Sequence, residues 1–148
     1  MKHAPDLTKR PPRSVRVRLG GYVILPRMLD KGRAEIAGTG GEYHYNCPLD
    51  QHFLKFTGID PLALREQLAA GMGDGEILQW IGAHAMHPRT DLEIAQWSAY
   101  HDGRGPSAVE QREWFQALHR EIGSLREDIA SWSDLLDLDD YVSFGGKA

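Results

Sequence analysis

With 148 residues, 41% of them apolar and 26% charged, the chain has the size to bury about two thirds of its unfolded surface in one core, with no need of a staple. No apolar run approaches the ~20 residues of a membrane helix, and a single cysteine excludes an internal disulfide. The net charge of −4 is unevenly spread: residues 1 to 33 carry nine Lys or Arg against two Asp, and the remainder carries nineteen acidic groups against eight basic ones.

A basic beginning and an acidic body attract each other. The segment 1–14 is therefore expected to be an extended basic arm that docks on its own chain or on a second subunit, giving a homodimer through arm and body. Nucleic-acid binding through the arm ranks below docking, because the acidic body repels a phosphate backbone. The absence of a charged-then-apolar leader makes a cytoplasmic location the expectation.

Pro5, Pro11 and Pro12 keep the arm out of a long helix. Val15, Val17 and Leu19 alternate with Arg16 and Arg18 up to Gly20-Gly21, and Glu42 to Asn46 is a second short β-favouring run, so the two suggest a minor ribbon of marginal stability. From Tyr22 the period becomes helical. Leu25, Met28, Leu29, Gly32 and Ile36 share one face, Pro26 lies in the first turn and Gly38 is the stop. The other face carries Arg27, Asp30, Lys31, Arg33 and Glu35 and reads as solvated, with a Lys31 to Glu35 pair worth only ~0.3 kcal/mol.

Pro48 suits the first position of a helix, with Cys47 as its N-cap and Asp50 at the third position, where a carboxylate can accept from a free backbone N–H and meets the positive end of the dipole. The same dipole favours the thiolate at Cys47. This helix, with Leu49, Phe53 and Phe56 inward, ends at Gly58. Asp60-Pro61 starts another, with Leu64, Leu68 and Ala69 inward up to Gly71. Asp74 is expected to cap a fourth with Ile77, Leu78, Ile81 and Ala85 buried. The pair resembles a helix-turn-helix, yet residues 75 to 86 contain no Lys or Arg, which argues against DNA reading.

Thr90-Asp91-Leu92-Glu93 is a capping box opening a helix to about His101, with Leu92, Ala95, Ala99 and Tyr100 available for packing. Pro106 opens the next, on which Val109, Phe115, Leu118 and Ile122 lie near one face up to Gly123. A last helix is expected from about Asp128 to Asp137, and its acidic end, with Asp134, Asp137, Asp139 and Asp140, opposes the dipole and is a candidate partner for the arm. The domain reading is all-α: a single domain of about seven short helices over 15–148, with room for the minor two-stranded ribbon near the N-terminus.

The chemistry gathers in Gly40 to Asp50. There the only cysteine stands with His44, Tyr43 and Tyr45. Of the seven histidines (3, 44, 52, 84, 87, 101, 119), His44 and His52 with Cys47 have a spacing that permits zinc without demanding it, since no HExxH or paired CxxC is present. Cysteine catalysis would need His44 as the base, while Pro48 removes one donor from an oxyanion site. Serine-hydrolase, P-loop and dinucleotide patterns are absent, and no cofactor is expected. Trp80, Trp97, Trp114 and Trp132 read as core or rim packing.

Several runs carry a resemblance: Ala4-Pro5-Asp6-Leu7-Thr8-Lys9-Arg10-Pro11-Pro12-Arg13, Leu19-Gly20-Gly21, Leu25-Pro26-Arg27-Met28-Leu29-Asp30-Lys31 and Tyr45-Asn46-Cys47-Pro48-Leu49-Asp50. Together they resemble a family of short bacterial proteins, the domain of unknown function 5069, over nearly the whole chain. The resemblance implies a single bacterial cytosolic domain and transfers no activity, cofactor or catalytic residue.

The resulting expectation is a non-catalytic binding or regulatory module. Its site would be formed by Tyr43, His44, Tyr45, Cys47 and Asp50 with Arg16 and Arg18 beside them, taking a small anionic ligand or a protein partner. The alternative is an enzyme built on Cys47 and His44, with or without a metal held by His44, Cys47 and His52.

Overall fold

The computed structural model of the protein describes residues 4–123 and 125–148; Lys2 and His3 of the expected arm lie outside them. Among the described residues seven helices follow one another: α1 (Leu25–Ala37), α2 (Pro48–Thr57), α3 (Pro61–Ala69), α4 (Asp74–His84), α5 (Asp91–Gly103), α6 (Val109–Glu121) and α7 (Trp132–Ser143). The fold is all-α. Among the described residues no helix is long and apolar enough to cross a membrane.

Helix α1 is the centre around which the others pack. Its apolar stripe of Leu25, Met28 and Leu29 is fully buried and joins Phe53 and Leu54 of α2, Leu64 and Leu68 of α3, Ile77 and Ile81 of α4 and Ile94 of α5 in one core. A Cβ on Gly32 would lie 2.6 Å from Leu68 Cδ1 and 3.2 Å from the Tyr45 ring, so glycine is what lets α3 and the Tyr45 loop close on α1. Gly38 ends the helix in the left-handed conformation, donating to Ala34 and Glu35 carbonyls.

The face of α1 expected to meet solvent is buried as well. Arg27, Asp30, Lys31 and Arg33 are all at most 9% exposed. A buried charge is tolerated only when paired and hydrogen-bonded, and each of these has a partner from a different part of the chain: Arg27 from α7, Asp30 from the N-terminal segment, Lys31 from α2 and Arg33 from α4. Sequence periodicity within one helix sees charges at intervals but not the carboxylates brought opposite them, which is why that face reads as solvated. Lys31 meets Asp50, not Glu35, and Glu35 faces Arg65.

Residues 4–24 wrap this helix. Leu7 is 1% exposed and its N–H donates to Thr39 O at 2.9 Å. The Arg13 guanidinium bridges Asp30 at 3.0 Å and Asp74 at 2.8 Å, and Arg33 reaches the other oxygen of Asp74 at 2.7 Å. Residues 15–24 fold back on themselves, with an isolated bridge between Leu19 and Tyr22 and Ile24 N–H donating to Val15 O, so this segment makes its own turn and does not pair with 42–46.

The later helices differ in detail from expectation. Gly73, not Asp74, precedes α4, and Glu76 accepts from its N–H; Asp74 is released to serve Arg13 and Arg33. The Thr90–Glu93 capping box of α5 forms as read, but the buried side is Ile94, Ser98 and His101, while Leu92 and Tyr100 are exposed. On α6 only Phe115 is buried, Pro106 precedes the helix and Val109 faces solvent. Helix α7 begins at Trp132, capped by Ser131, so Asp134 sits in its first turn, favourably for the dipole, and the acidic cluster lies along the helix instead of at its end. The stronger cap wins: Ser131 and Asp134 satisfy each other's N–H groups.

Candidate functional site

The loop from Gly40 to Cys47 leaves α1, crosses the N-terminal segment and returns to start α2. Gly41 has φ +57, and a Cβ there would sit 2.8 Å from Leu7 O; the loop and the segment touch through that glycine. Asn46 is also in a left-handed conformation, φ 61, which asparagine tolerates. Its N–H donates to Asp50 Oδ2 at 2.9 Å, so Asp50 fixes the entry into α2 as its position predicts.

Asp50 has no exposed surface, and its other oxygen accepts from Lys31 Nζ at 2.8 Å. The same ammonium lies 3.1 Å from Cys47 Sγ. Lys31 is itself 4% exposed while Cys47 is half-buried. One cation on α1 therefore touches both polar groups at the start of α2.

One turn earlier on α1, Arg27 makes the matching pair with α7. Its Nη1 reaches Asp140 Oδ2 at 2.7 Å and its Nη2 reaches Oδ1 at 3.2 Å, a two-pronged contact. The Tyr43 hydroxyl donates to Asp140 Oδ1 at 2.7 Å and its ring lies under the Arg27 guanidinium. Burial and then the neighbouring Asp140 carboxylate push the Tyr43 phenol well above its ordinary range. Next to it, burial and the Asp140 charge push the Asp139 carboxyl up.

Between these two pairs opens a cleft of about 600 Å³. Leu7, Leu49, Leu136 and Phe144 supply apolar wall; Thr8, Arg27, Lys31, Glu42, Tyr43, His44, Cys47, Asp139 and Ser143 supply its polar groups. Both cations that reach it, Arg27 and Lys31, are already neutralised by Asp140 and Asp50.

The residues expected at the site divide. Tyr43, His44 and Cys47 line the cleft. Asp50 lies behind it under Lys31, and Tyr45 turns into the core, its hydroxyl donating to Pro61 O at 2.7 Å. Burial, then the Asp50 charge, raises the Tyr45 phenol above its ordinary range. Arg16 and Arg18 are elsewhere: Arg16 pairs with Asp134 and Asp137 on α7, and Arg18 with Asp102 on α5 at 2.6 Å. They do not join the loop because the segment carrying them folds on itself. The basic stretch docks on carboxylates of its own chain through Arg13, Arg16 and Arg18.

His52 points away from Cys47. Its Nε2 meets Arg104 Nη2 at 3.0 Å and its ring packs on His101, so His44, Cys47 and His52 are not assembled as ligands. Among the described residues no group of three His, Cys, Asp or Glu is placed to hold a metal ion. The group contacting the thiol is Lys31, where the sequence pointed to His44 as a base.

Arg27, Lys31, Leu136, Asp139 and Phe144 were not among the expected site residues. The signal for the first two is their spacing of four on one side of α1, both within the Leu25–Lys31 run that carries the family resemblance; α7 gives none, since nothing local in its sequence marks Leu136, Asp139 and Phe144 as facing a loop far along the chain.

The match to family models settles membership. The model described as Domain of unknown function (DUF5069) matches residues 9–142. The chain belongs to the DUF5069 family. The match spans every group of the cleft except Leu7, Thr8, Ser143 and Phe144. No curated protein matches the chain.

Proposed function

We propose that this DUF5069 protein is a non-catalytic binding or regulatory module whose cleft between α1, α7, the 40–47 loop and the start of α2 takes a small molecule with an uncharged, largely apolar body. The observation that carries the reading is the cleft itself, about 600 Å³, a volume within the ~300–1,000 Å³ of small-molecule sites, with apolar walls and a few polar groups to fix orientation. The expectation of an anionic ligand gives way to a neutral one. An anion entering here would compete with Asp140 for Arg27 or with Asp50 for Lys31, and stripping a buried carboxylate of its cation costs about 3–5 kcal/mol. His44 and Cys47 remain to hydrogen-bond a polar tip.

The test uses Nile red, a neutral apolar dye. Its fluorescence is expected to rise with the native protein and to lose most of that rise in Leu136→Trp, which fills the cleft, while far-ultraviolet circular dichroism stays helical. Leu125→Ser, at a side chain 97% exposed and outside the cleft, is the control and retains the rise. A folded Leu136→Trp protein with undiminished fluorescence overturns the assignment.

A further inference from the structure

Lys31 Nζ on α1 and Cys47 Sγ at the N-cap of α2 are two nucleophiles 3.1 Å apart, with the buried Asp50 carboxylate on the lysine side and the cleft on the sulfur side. The geometry is unusual because each group is fixed by something other than their mutual contact. Lys31 is anchored by Asp50 at 2.8 Å, and Cys47 by its place before Pro48. An oxidised sulfur at this position meets an amine before it meets a second thiol, since the chain has no other cysteine.

We propose that Lys31 and Cys47 are a modification site at which a peroxide closes a covalent S–O–N link between α1 and α2. In the first step the thiol sulfur attacks one peroxide oxygen: an S–O bond forms, the O–O bond breaks, sulfur gives up two electrons, and water leaves, producing the sulfenic acid. Asp50 takes one proton from the Lys31 ammonium, freeing the nitrogen lone pair. In the second step a second peroxide removes one hydrogen from the sulfenic hydroxyl and one from the amine as the N–O bond forms; nitrogen gives up two electrons and that peroxide becomes two waters. Thiol, ammonium, carboxylate and two peroxides thus become the S–O–N link, a neutral Asp50 and three waters. No buried charge is left unpaired, which is the condition for replacing a buried ion pair without a large penalty.

The inference goes beyond the binding reading and needs no occupant of the cleft. Its test is intact mass measurement of the full chain treated with hydrogen peroxide, followed by peptide mapping. The expected product is heavier by one oxygen and lighter by two hydrogens. It yields a peptide joining the Lys31 and Cys47 segments, and dithiothreitol returns the original mass. Lys31→Arg, which keeps a cation beside Asp50, and Cys47→Ser both lose this product. Oxygen added to Cys47 without loss of hydrogen, loss of two hydrogens without oxygen, or the same product persisting in Lys31→Arg each overturn the proposal. Should Lys31→Arg fail to fold, the wild-type peptide map decides alone.

Discussion

Lys31 Nζ and Asp50 Oδ1 lie 2.8 Å apart with side chains 4% and 0% exposed, so the second turn of α1 and the first turn of α2 are joined by an ion pair with almost no water around it. Removing one member leaves the other buried and charged. Asp50→Ala is expected to lower the unfolding free energy by about 3–5 kcal/mol, read from the urea midpoint, and it also strands the Asn46 N–H. The double substitution Lys31→Met with Asp50→Leu recovers most of that loss, because the desolvation cost disappears with the pair. A double variant as unstable as the single one refutes this account.

Tyr43 contributes a hydrogen bond to a carboxylate that Arg27 already holds in two places. Tyr43→Phe is therefore expected to cost about 1–2 kcal/mol, well below Arg27→Ala at about 3–5 kcal/mol, which leaves Asp140 without its cation. Equal losses in chemical denaturation would mean that the Tyr43 hydroxyl holds Asp140 as strongly as Arg27 does, and would refute this ranking.

Gly32→Ala sets two effects against each other. Alanine gains ~1 kcal/mol in helix propensity, but its Cβ would stand 2.6 Å from Leu68 Cδ1, and overpacking of this kind costs about 1–3 kcal/mol. The net expectation is a lower thermal midpoint, partly restored by adding Leu68→Ala. A midpoint at or above wild type would show that α3 can shift without cost.

Acid stability depends on His101, 8% exposed against the rings of His52 and Trp97. Burial first, then the charges of His52 and Arg104, hold its pKa down to about 4 from 6.5. The folded state favours the neutral ring, so its contribution is complete above pH 6.5 and is lost as the pH falls towards 4, on the order of 3 kcal/mol in all. His101→Phe should flatten the stability profile in that window. Below it a separate decline belongs to Asp74 and Asp134. Burial raises both, but Arg13 and Arg33 at Asp74, and the Ser131 and Ala130 N–H groups with Arg16 at Asp134, more than offset it, bringing Asp134 to about 2. Those contributions are lost as the pH falls below 3.8. A profile for His101→Phe parallel to wild type between pH 6.5 and 4 contradicts the assignment.

Thr90→Ala removes the side-chain acceptor for Glu93 N–H at 3.2 Å and is expected to cost about 1 kcal/mol. Thr90→Ser, which keeps the hydroxyl, should differ little from wild type in the same melt.

Helix starts were the most legible part of the chain. Cys47-Pro48, Asp60-Pro61 and Thr90 with Glu93 all begin helices at the expected residues: Asp60 and Thr90 accept from first-turn N–H groups, while Cys47 caps by position alone, ahead of Pro48. What the sequence hid is set by distance along the chain. Arg27 meets a carboxylate 113 residues away, and nothing in a local window pairs them. The same is true of the cleft, since its loop was visible from Tyr43, His44 and Cys47, but its far wall comes from α7. Arg16 and Arg18 misled because a basic alternating run looks like an available strand when it is a turn whose charges are spent on Asp134, Asp137 and Asp102.

Helix α1 presents its ions to α2, α4, α7 and the N-terminal segment in turn. A rotation or slide of that helix by a single residue would separate every one of these partners at once, so the register of the whole assembly is keyed by charge as well as by shape. Partly docked forms, with one helix lifted away, would strand ions in an oily interior and should scarcely be populated. Heat absorption on melting should therefore follow a single sharp transition, with calorimetric and van't Hoff enthalpies in agreement.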